Sequence, residues 1–292
     1  SRLDPGPIQF YRTFVTLPNN ERIYSRSKHQ YTMSNTQLVV SNQTVWKSSH
    51  AVNQYQRIYL DKPEATIFNE LKPRLPHIQM LDIGVGGGRT THFFAPLTKE
   101  YIGIDYSDAM IESCNSKYKD LPNASFYVCD ARDMARFPDE SFDFVLFSYN
   151  GIDCVGSEDR LKILREMRRV CKSGGLICFS THNLQSLPIL FSFHFSPNPL
   201  KLYFAIRRYI LLRYYNPNWK KYLYVDKCEC IDPALDFQLT MVYITPKKQI
   251  QQLVDLGFKN IKIYSLFDGL EISSPLRLDE LTDPWLYYLA EV

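Results

Sequence analysis

A glycine-rich turn directly after a short apolar run constrains this chain more than any other stretch. Residues 79–91 read Gln-Met-Leu-Asp-Ile-Gly-Val-Gly-Gly-Gly-Arg-Thr-Thr. The pattern predicts a strand, a tight turn and a helix, which is how a doubly wound α/β domain begins. Glycine suits such a turn because it adopts positive φ and lets a ligand approach the backbone closely.

The carboxylate of Asp82, at the end of the apolar run, indicates the class of ligand. Arg89 stands where the third glycine of a dinucleotide-binding turn would be, and the chain has no G-K-[ST] after the turn. Placed beside a pyrophosphate, Asp82 would repel it at a cost of roughly 1–4 kcal/mol. A ligand with a cationic amino group is therefore favoured. The alternative is an α/β domain whose glycine-rich first turn has no such role.

Two further acids end predicted strands. Asp105 closes the run 101–105 and Asp130 closes the run 125–130. A fourth strand is predicted over 141–148 and a fifth over 174–180, with a helix between them over 157–171 that the glycines at 174 and 175 would end. Strands and helices that alternate at this length form a parallel sheet with right-handed crossovers.

The sequence resembles one family in the order of its motifs. The D-x-G-x-G-x-G turn, followed by acids at the ends of strands two and three, is similar to the motifs of class I S-adenosylmethionine-dependent methyltransferases of the small-molecule, UbiE-like type. The resemblance covers about residues 60–182 and resumes at about 246–292. It implies a Rossmann-like α/β fold with a seven-stranded doubly wound sheet. An N-terminal helical cap and a lid inserted after strand five would complete the fold.

The resemblance also implies S-adenosyl-L-methionine as cofactor and assigns roles by position. Asp82 would face the methionyl ammonium, Asp105 would accept from the ribose hydroxyls, and Asp130 would accept from the adenine amine. The other expected cofactor-binding residues are Gly84, Gly86, Gly88, Tyr106, Ala131, Phe147, Ser148 and Tyr55. For Tyr55, packing within a helix face is the alternative role.

Three residues that follow strands four and five are expected in the acceptor pocket: Asn150, Asp153 and His182. We interpret His182 as a general base, because the ordinary pKa of histidine lies near neutrality. A neutral histidine that only bonds a loop is the alternative.

The reaction expected from the resemblance is metal-independent transfer of a methyl group to an oxygen or nitrogen atom of a small molecule. The residues after strand four, Ser-Tyr-Asn-Gly, differ from the [ND]-P-P-[YFW] of enzymes that methylate planar nitrogens. No trio of carboxylate and amide ligands indicates a metal site. An RNA methyltransferase and a non-catalytic S-adenosylmethionine-binding protein are the alternatives.

The chain divides into four predicted parts: an irregular arm over 1–44, the cofactor-binding core with N-terminal helices over 45–183, a lid over 184–245, and the rest of the core over 246–292. Residues 184–225 contain eleven aromatic and six basic residues but no acid. Besides a lid, contact with anionic lipid or RNA and an oligomer interface are possible roles. A helical projection of 200–214 is apolar all round, so it does not favour a membrane-surface helix.

Composition excludes several broad classes. The net charge of +3 does not by itself indicate a nucleic-acid partner. The seven cysteines lack zinc spacing and are odd in number, which favours a reducing cytoplasm. No apolar run reaches the ~18–20 residues of a membrane span, and the N-terminus shows no signal-peptide pattern.

Overall fold

A computed structural model describes residues 42, 58–274 and 278–292 of the chain. Its strands are β1 Gln79–Ile83, β2 Glu100–Asp105, β3 Ala124–Val128, β4 Phe142–Phe147, β5 Cys171–Asn183, β6 Lys227–Asp232, β7 Leu239–Ile244, β8 Lys259–Ser265 and β9 Trp285–Glu291. Its α-helices are α1 Lys62–Leu71, α2 Thr91–Phe94, α3 Asp108–Lys117, α4 Ser157–Val170, α5 Leu187–Leu190, α6 Pro199–Tyr215 and α7 Pro246–Asp255.

The strands form one sheet in the order β3-β2-β1-β4-β5-β7-β6, and β9 lies between β5 and β8. Strands β1 to β5 are parallel, so their carboxyl ends meet at one edge. β8 and β9 form an antiparallel hairpin, and β9 also pairs antiparallel with β5, so the residues over 246–292 return to the core as the sequence analysis expects.

The hairpin β6–β7 makes nine strands in the described part of the chain, where seven were expected. β7 pairs in parallel with the end of β5, at His182 and Asn183. The predicted division of 184–245 as a separate lid is therefore wrong for this hairpin, which extends the main sheet. The alternation of apolar and polar residues in Lys227–Asp232 was the missed signal.

Helix α4 shows how the core is built. Its buried residues Ile163, Leu164, Met167 and Val170 recur at helical spacing and join the hydrophobic cluster around β4 and β5. The helix ends at Val170, and Cys171 already begins β5. The expected glycine-terminated helix end is therefore wrong: Gly174, with φ +75°, is a bend inside β5.

The inserted residues 184–224 have a hydrophobic core of their own against β6 and β7, formed by residues such as Leu187, Leu190 and Leu212. Phe191 stacks on Trp219 with ring centroids 4.5 Å apart. No helix in the described ranges is long and apolar enough to cross a membrane.

The predicted arm over 1–44 lies outside the described residues, except for Asn42. The Asn42 side-chain amide donates to the carbonyl oxygens of Cys154, at 2.6 Å, and Thr240, at 2.7 Å. Asn42 therefore joins the loop after β4 to strand β7.

Candidate functional site

The glycine turn has the backbone conformation that its sequence predicts. Gly84, Gly86 and Gly88 have φ of +63°, +53° and +78°. A Cβ atom at Gly84 would lie 2.7 Å from the ring of Phe147, and one at Gly88 would lie 2.3 Å from the ring of Tyr118. Glycine is therefore required both by φ and by the close approach of aromatic rings.

Side chains at the end of helix α3, and Tyr118 directly after it, donate hydrogen bonds to the carbonyl oxygens of the glycine turn. Cys114 Sγ donates to Gly86 O at 3.1 Å, and Tyr118 Oη donates to Gly88 O at 2.6 Å. Lys117 Nζ donates to Gly87 O at 3.2 Å. The peptide groups of the turn are thereby held in a fixed orientation before any ligand arrives.

Asp105 closes β2 and bonds the turn directly. Its Oδ2 accepts from Gly86 N at 3.0 Å and its Oδ1 accepts from Ser107 N at 2.9 Å. Each carboxylate oxygen keeps a further lone pair for ligand hydroxyls. Burial raises the pKa of Asp105. Beside it, Tyr106 Oη and Ser107 Oγ are buried without a hydrogen-bond partner among the described residues, so this position can still satisfy polar groups of a ligand.

Asp82 is more deeply buried than its predicted role requires. Its Oδ2 accepts from Thr90 Oγ1 and Tyr101 Oη, both at 2.5 Å. Burial raises the pKa of Asp82 to about 6, against the opposing effect of these two hydroxyls. Its expected contact with a cationic group stays a prediction. One oxygen is already occupied by hydroxyl donors.

Asp130, predicted to bind an amine, is occupied by Arg132. The Arg132 Nε lies 3.0 and 3.1 Å from the two carboxylate oxygens of Asp130. The Arg132 Nη1 donates to Asp159 Oδ2 at 2.7 Å. These bonds hold the pKa of Asp130 below its ordinary value. Asp130 and the following Ala131 lie at the expected edge. A ligand amine would have to share the carboxylate with Arg132.

A buried ion pair that the sequence analysis missed lies beside Ser148. Arg89 forms a bidentate pair with Glu64, with both N–O distances 2.6 Å, and donates to Ser148 Oγ at 3.0 Å. Ser148 Oγ also donates to Glu64 Oε1. The guanidinium lies 5.2 Å from the ring centroid of Tyr59 and 5.0 Å from that of Tyr149.

Asp61 extends this cluster towards β9. Tyr287 Oη donates to Asp61 Oδ2 at 2.7 Å, and the Asp61 amide donates to Glu64 Oε2 at 2.6 Å. Burial, and then the charge of Glu64, raise the pKa of Asp61 to about 6. Arg89 instead lowers the pKa of Glu64, although burial opposes it.

The charges of this region leave an anionic surplus. Three buried carboxyl groups, those of Asp61, Glu64 and Asp82, surround the single guanidinium of Arg89. Burial is the main cause of the raised pKa values of Asp61 and Asp82, and the charge of Glu64 adds to it. A cationic ligand without phosphate groups would relieve this anionic surplus, which agrees with the ligand class inferred from the turn.

The three predicted acceptor-pocket residues lie together. The Nδ1 atom of His182 is 2.9 Å from Asp153 Oδ2, and its Nε2 is 3.4 Å from Asn150 Nδ2. A carboxylate only accepts hydrogen bonds, so Nδ1 carries a proton, and Nε2 faces the side-chain amide of Asn150. Asn150 Oδ1 is buried without a partner among the described residues and can bind a hydroxyl or amine.

Asp153 is fixed by further buried partners. Arg160 Nε donates to its Oδ1 at 3.0 Å, and Thr181 Oγ1 donates to the same oxygen at 2.7 Å. Arg160 in turn donates to Gln249 Oε1 at 2.8 Å. This network holds the carboxylate that orients His182 and joins it to helices α4 and α7.

The loop that supplies Asn150 has an uncommon backbone. Tyr149 and Asn150 both have positive φ, 56° and 59°. Consecutive non-glycine residues in this region are strained, and such strain is found most often at functional sites. It turns Asn150 towards His182, while the ring of Tyr149 packs edge-on against Trp285 at 6.0 Å.

A cleft of about 430 Å³ opens beyond the ends of β5 and β7. Its lining residues come from two stretches of the insertion, together with Thr245: Leu184, Gln185 and Pro188, and Leu223, Tyr224, Val225 and Asp226. Cavities of this size hold small molecules rather than macromolecules. Gln185 Oε1 is buried without a partner among the described residues and offers one polar contact to an occupant.

The structure thus brings together most of the residues singled out in the sequence. Phe147 packs beneath Gly84, and a Cβ atom at Gly151 would lie only 2.2 Å from its ring. Tyr55 lies outside the described residues. Asp61, Glu64 and Arg89 were missed; the signals available were an Asp-x-x-Glu helix start and the arginine after the glycines.

A family model described as a methyltransferase domain matches residues 80–175. A relative from Bacillus subtilis, named an uncharacterized methyltransferase, is 26% identical over 156 residues, which cover 53% of this chain and 60% of the relative. The ubiquinone/menaquinone biosynthesis C-methyltransferase of a Geobacter species is 27% identical over 200 residues, 66% of this chain and 75% of the relative. The chain spans 60% to 65% of the length of the Bacillus subtilis relative and of two demethylmenaquinone methyltransferases from Staphylococcus species.

Among solved structures, an S-adenosylmethionine-dependent methyltransferase from Mesorhizobium loti superposes with a TM-score of 0.54 at 16% identity. The superposition covers 79% of this chain and 98% of that one. At this identity the likeness concerns the fold.

Proposed function

We propose, from the premise that this chain belongs to the class I S-adenosylmethionine-dependent methyltransferases, that it methylates a small molecule whose reacting group loses a proton to His182. The observation that carries this proposal is the Asp153–His182 pair at the end of β5, 2.9 Å apart. It lies at the same edge of the sheet as the glycine turn that ends β1. Cofactor and base can therefore meet one acceptor.

The residues around the turn suit this cofactor. Asp105 has lone pairs for the ribose hydroxyls, and the unpartnered hydroxyls of Tyr106 and Ser107 lie beside it. The surplus negative charge around Arg89 suits a ligand that carries an ammonium and a sulfonium. When bound, S-adenosylmethionine supplies an electrophilic methyl group whose bond to sulfur breaks as the acceptor atom bonds the carbon, leaving S-adenosylhomocysteine.

The chain's own contribution to chemistry is alignment and proton removal. Alignment of the two reactants can supply up to ~7–11 kcal/mol. The proton passes from the acceptor to His182 Nε2, and the resulting imidazolium is stabilised by the carboxylate of Asp153. The sulfonium already activates the methyl group, so this scheme needs no metal ion.

The cleft beyond β5 and β7 supports a small acceptor. Its volume of about 430 Å³ lies within the range of small-molecule sites, and its lining combines apolar side chains with the polar Gln185, Asp226 and Thr245. We expect the acceptor to be a compact molecule with an apolar body and one acidic group. RNA is the less suitable alternative, because a cleft of this size offers no extended basic track.

The methylated atom is assigned from chemistry and from the relatives. The name of the Geobacter relative states C-methylation in quinone biosynthesis, whereas the sequence analysis expected an oxygen or nitrogen atom. A hydroxylated aromatic ring that has lost its proton is nucleophilic at oxygen and at a ring carbon, so one base serves both outcomes. We therefore propose a hydroxylated aromatic acceptor, with the ring carbon as the preferred atom.

The test is to incubate the protein with methyl-labelled S-adenosylmethionine and a panel of phenols and hydroquinones, and to identify the product by NMR. A labelled methyl group on a ring carbon or phenolic oxygen is the expected result. Label found only in RNA from an added extract would favour the RNA alternative. Tight cofactor binding without label in any acceptor would favour a non-catalytic binding protein.

A further inference from the structure

One surface of the inserted segment exposes large apolar side chains. Eleven of the sixteen large hydrophobic residues that are exposed in the described part of the chain lie within residues 184–225. We define the apolar face by its most exposed members: Phe195, Leu200, Tyr203, Ile210, Tyr214 and Tyr224. Single exposed apolar residues are ordinary, whereas a contiguous group marks an interaction site.

The face follows one side of helix α6. Leu200, Tyr203, Ile206, Ile210 and Tyr214 are all exposed, by 43% to 72%. At 100° per residue they fall within an arc of about 120°. Leu212, the buried residue of this helix, projects on the opposite side. The helix is therefore two-faced: one apolar side packs on the core and the other is exposed. This is why the sequence projection, apolar all round, could not reveal a surface helix.

Helix α6, which carries most of the apolar face, is held in place by hydrogen bonds and ring contacts. Arg213 donates to the carbonyl oxygen of Phe191 at 2.6 Å and stacks on the ring of Tyr209 with its guanidinium carbon 3.6 Å from the centroid. The α6 N-terminus is capped by Asn198, which accepts from the amides of Leu200 and Lys201. The helix is therefore a fixed element of the fold that presents its outer side.

The charge of the segment is strongly one-sided. Residues 184–225 carry six lysines and arginines and no acid, which leaves 28 basic against 31 acidic residues in the rest of the chain. Lys201, Lys220 and Lys221 are exposed. Arg207 projects within the apolar arc and is paired with Asp236 at 2.6 Å. Lys220 and Lys221 share the turn Trp219–Tyr224 with the exposed Tyr224, whereas Lys201 projects on the Leu212 side of α6. Cations next to an exposed aromatic side chain match a surface that is anionic outside and apolar just beneath.

We propose that the apolar face docks on the surface of an anionic phospholipid bilayer. Its aliphatic residues would enter the boundary between headgroups and acyl chains, where tyrosine side chains can bury their rings and keep their hydroxyls in water. Lys220 and Lys221 would remain at the headgroups. The cleft beyond β5 shares Tyr224 with this face, so docking places the cleft mouth beside the bilayer.

This inference concerns a surface and does not depend on the proposed reaction. The test is co-sedimentation of the full chain with vesicles of phosphatidylcholine alone and with vesicles that also contain phosphatidylglycerol. We expect binding to the mixed vesicles only. The double variant Leu200→Asp/Ile210→Asp should bind on the order of tenfold or more weakly, whereas Val254→Asp, which alters an exposed apolar residue of α7, should bind as the wild type does.

The electrostatic contribution to vesicle binding is tested by a second pair of variants, one within the inserted segment and one outside it. Lys220→Gln/Lys221→Gln should weaken binding to the mixed vesicles by about tenfold, while Lys248→Gln/Lys259→Gln, with equal charge loss at exposed lysines elsewhere, should not. The milder variant Tyr203→Ser/Tyr214→Ser serves if the aspartate variant fails to fold.

Three results would overturn the proposal. Absence of wild-type binding to mixed vesicles is the first. The second is RNA binding that Lys220→Gln/Lys221→Gln abolishes, with no vesicle binding. The third is a dimer in sedimentation velocity that Leu200→Asp/Ile210→Asp dissociates, again with no vesicle binding, because the face would then be a contact between copies of the chain.

Discussion

The carboxylate Oδ2 of Asp153 accepts two hydrogen bonds from His182, one from the backbone amide at 2.7 Å and one from the ring Nδ1 at 2.9 Å. The ring therefore cannot turn without breaking a bond to a carboxylate that Arg160 and Thr181 already hold. His182 also pairs with Tyr243 of β7 and Trp285 of β9 across the sheet. These contacts hold the imidazole ring in one orientation, so the Nε2 atom of His182 has a fixed position.

The variant His182→Gln should reduce kcat by about 10²–10⁴, because general-base assistance contributes an effect of that size. Cofactor affinity should be unchanged, since none of the expected cofactor-binding residues lies on β5. The measurement is steady-state transfer with calorimetric binding of S-adenosylhomocysteine. His194→Gln is the matched control, since His194 is exposed in the inserted segment. A kcat equal in both variants would exclude His182 as the base.

Asp82 should make stability fall as pH rises. Its pKa in the folded protein, about 6, is above the ordinary 3.8. The folded state therefore binds this proton more tightly than the unfolded state, and the benefit is fully present below about pH 4 and is lost as pH rises through about 6. Relative to Asp82→Asn, the wild type should lose about 2–3 kcal/mol of unfolding free energy over this interval.

Urea denaturation of wild type and Asp82→Asn at several pH values between about 4 and 7 measures this difference. Asparagine keeps an oxygen that can accept from Thr90 and Tyr101, so the packing should survive. A difference between the two proteins that does not change with pH would show that Asp82 has an ordinary pKa.

The Arg89–Glu64 pair should be strongly coupled. Removing either partner leaves a buried charge unpaired, which costs about 3–5 kcal/mol. Glu64→Gln and Arg89→Met should each destabilise by this order, and the double variant by less than the sum. The comparison is the ion pair Lys247–Asp279, whose side chains are 59% and 60% exposed; its disruption should cost less than about 1 kcal/mol. Equal costs for the two pairs would contradict the burial argument.

Comparing Gly88→Ala with Gly174→Ala separates the cost of an unfavourable φ from the cost of a steric clash at the new Cβ atom. Both glycines have nearly the same φ, +78° and +75°, but a Cβ atom at Gly88 meets Tyr118 at 2.3 Å while one at Gly174 meets nothing within 4 Å. Gly174→Ala should cost about 1–2 kcal/mol from backbone strain alone. Gly88→Ala should also displace the turn, so only it should weaken cofactor binding, as measured by calorimetry. Similar cofactor affinity in both variants would argue against a role for the turn.

Much of the cofactor half of the site could be predicted because its signals are local. The turn around Gly84 to Gly88 and the acids at positions 82 and 105 follow short apolar runs, and parallel strands bring such ends to one edge. The methyltransferase-domain match over residues 80–175 agrees with the predicted family and cofactor, and a solved methyltransferase structure shows the predicted α/β fold class. The roles of individual residues stay predictions.

The features that could not be predicted from the sequence depend on contacts between residues that are far apart in the chain or on side-chain geometry. Glu64 and Arg89 are 25 positions apart, and neither signals that it will be buried until α1 packs beside the glycine turn. The occupation of Asp130 by Arg132 likewise requires the side-chain geometry. In α6 both sides are apolar, so periodicity could not distinguish the buried side from the exposed one.

Calorimetric titration of the protein with S-adenosylmethionine, and with NAD as comparison, tests the central claim most directly. We expect one site for S-adenosylmethionine, no binding of NAD, and at least about a tenfold loss of affinity in Asp105→Ala, because that variant removes the acceptor of charged hydrogen bonds from the ligand. Binding of NAD with similar affinity, or unchanged S-adenosylmethionine affinity in a folded Asp105→Ala protein, would contradict this account of the site.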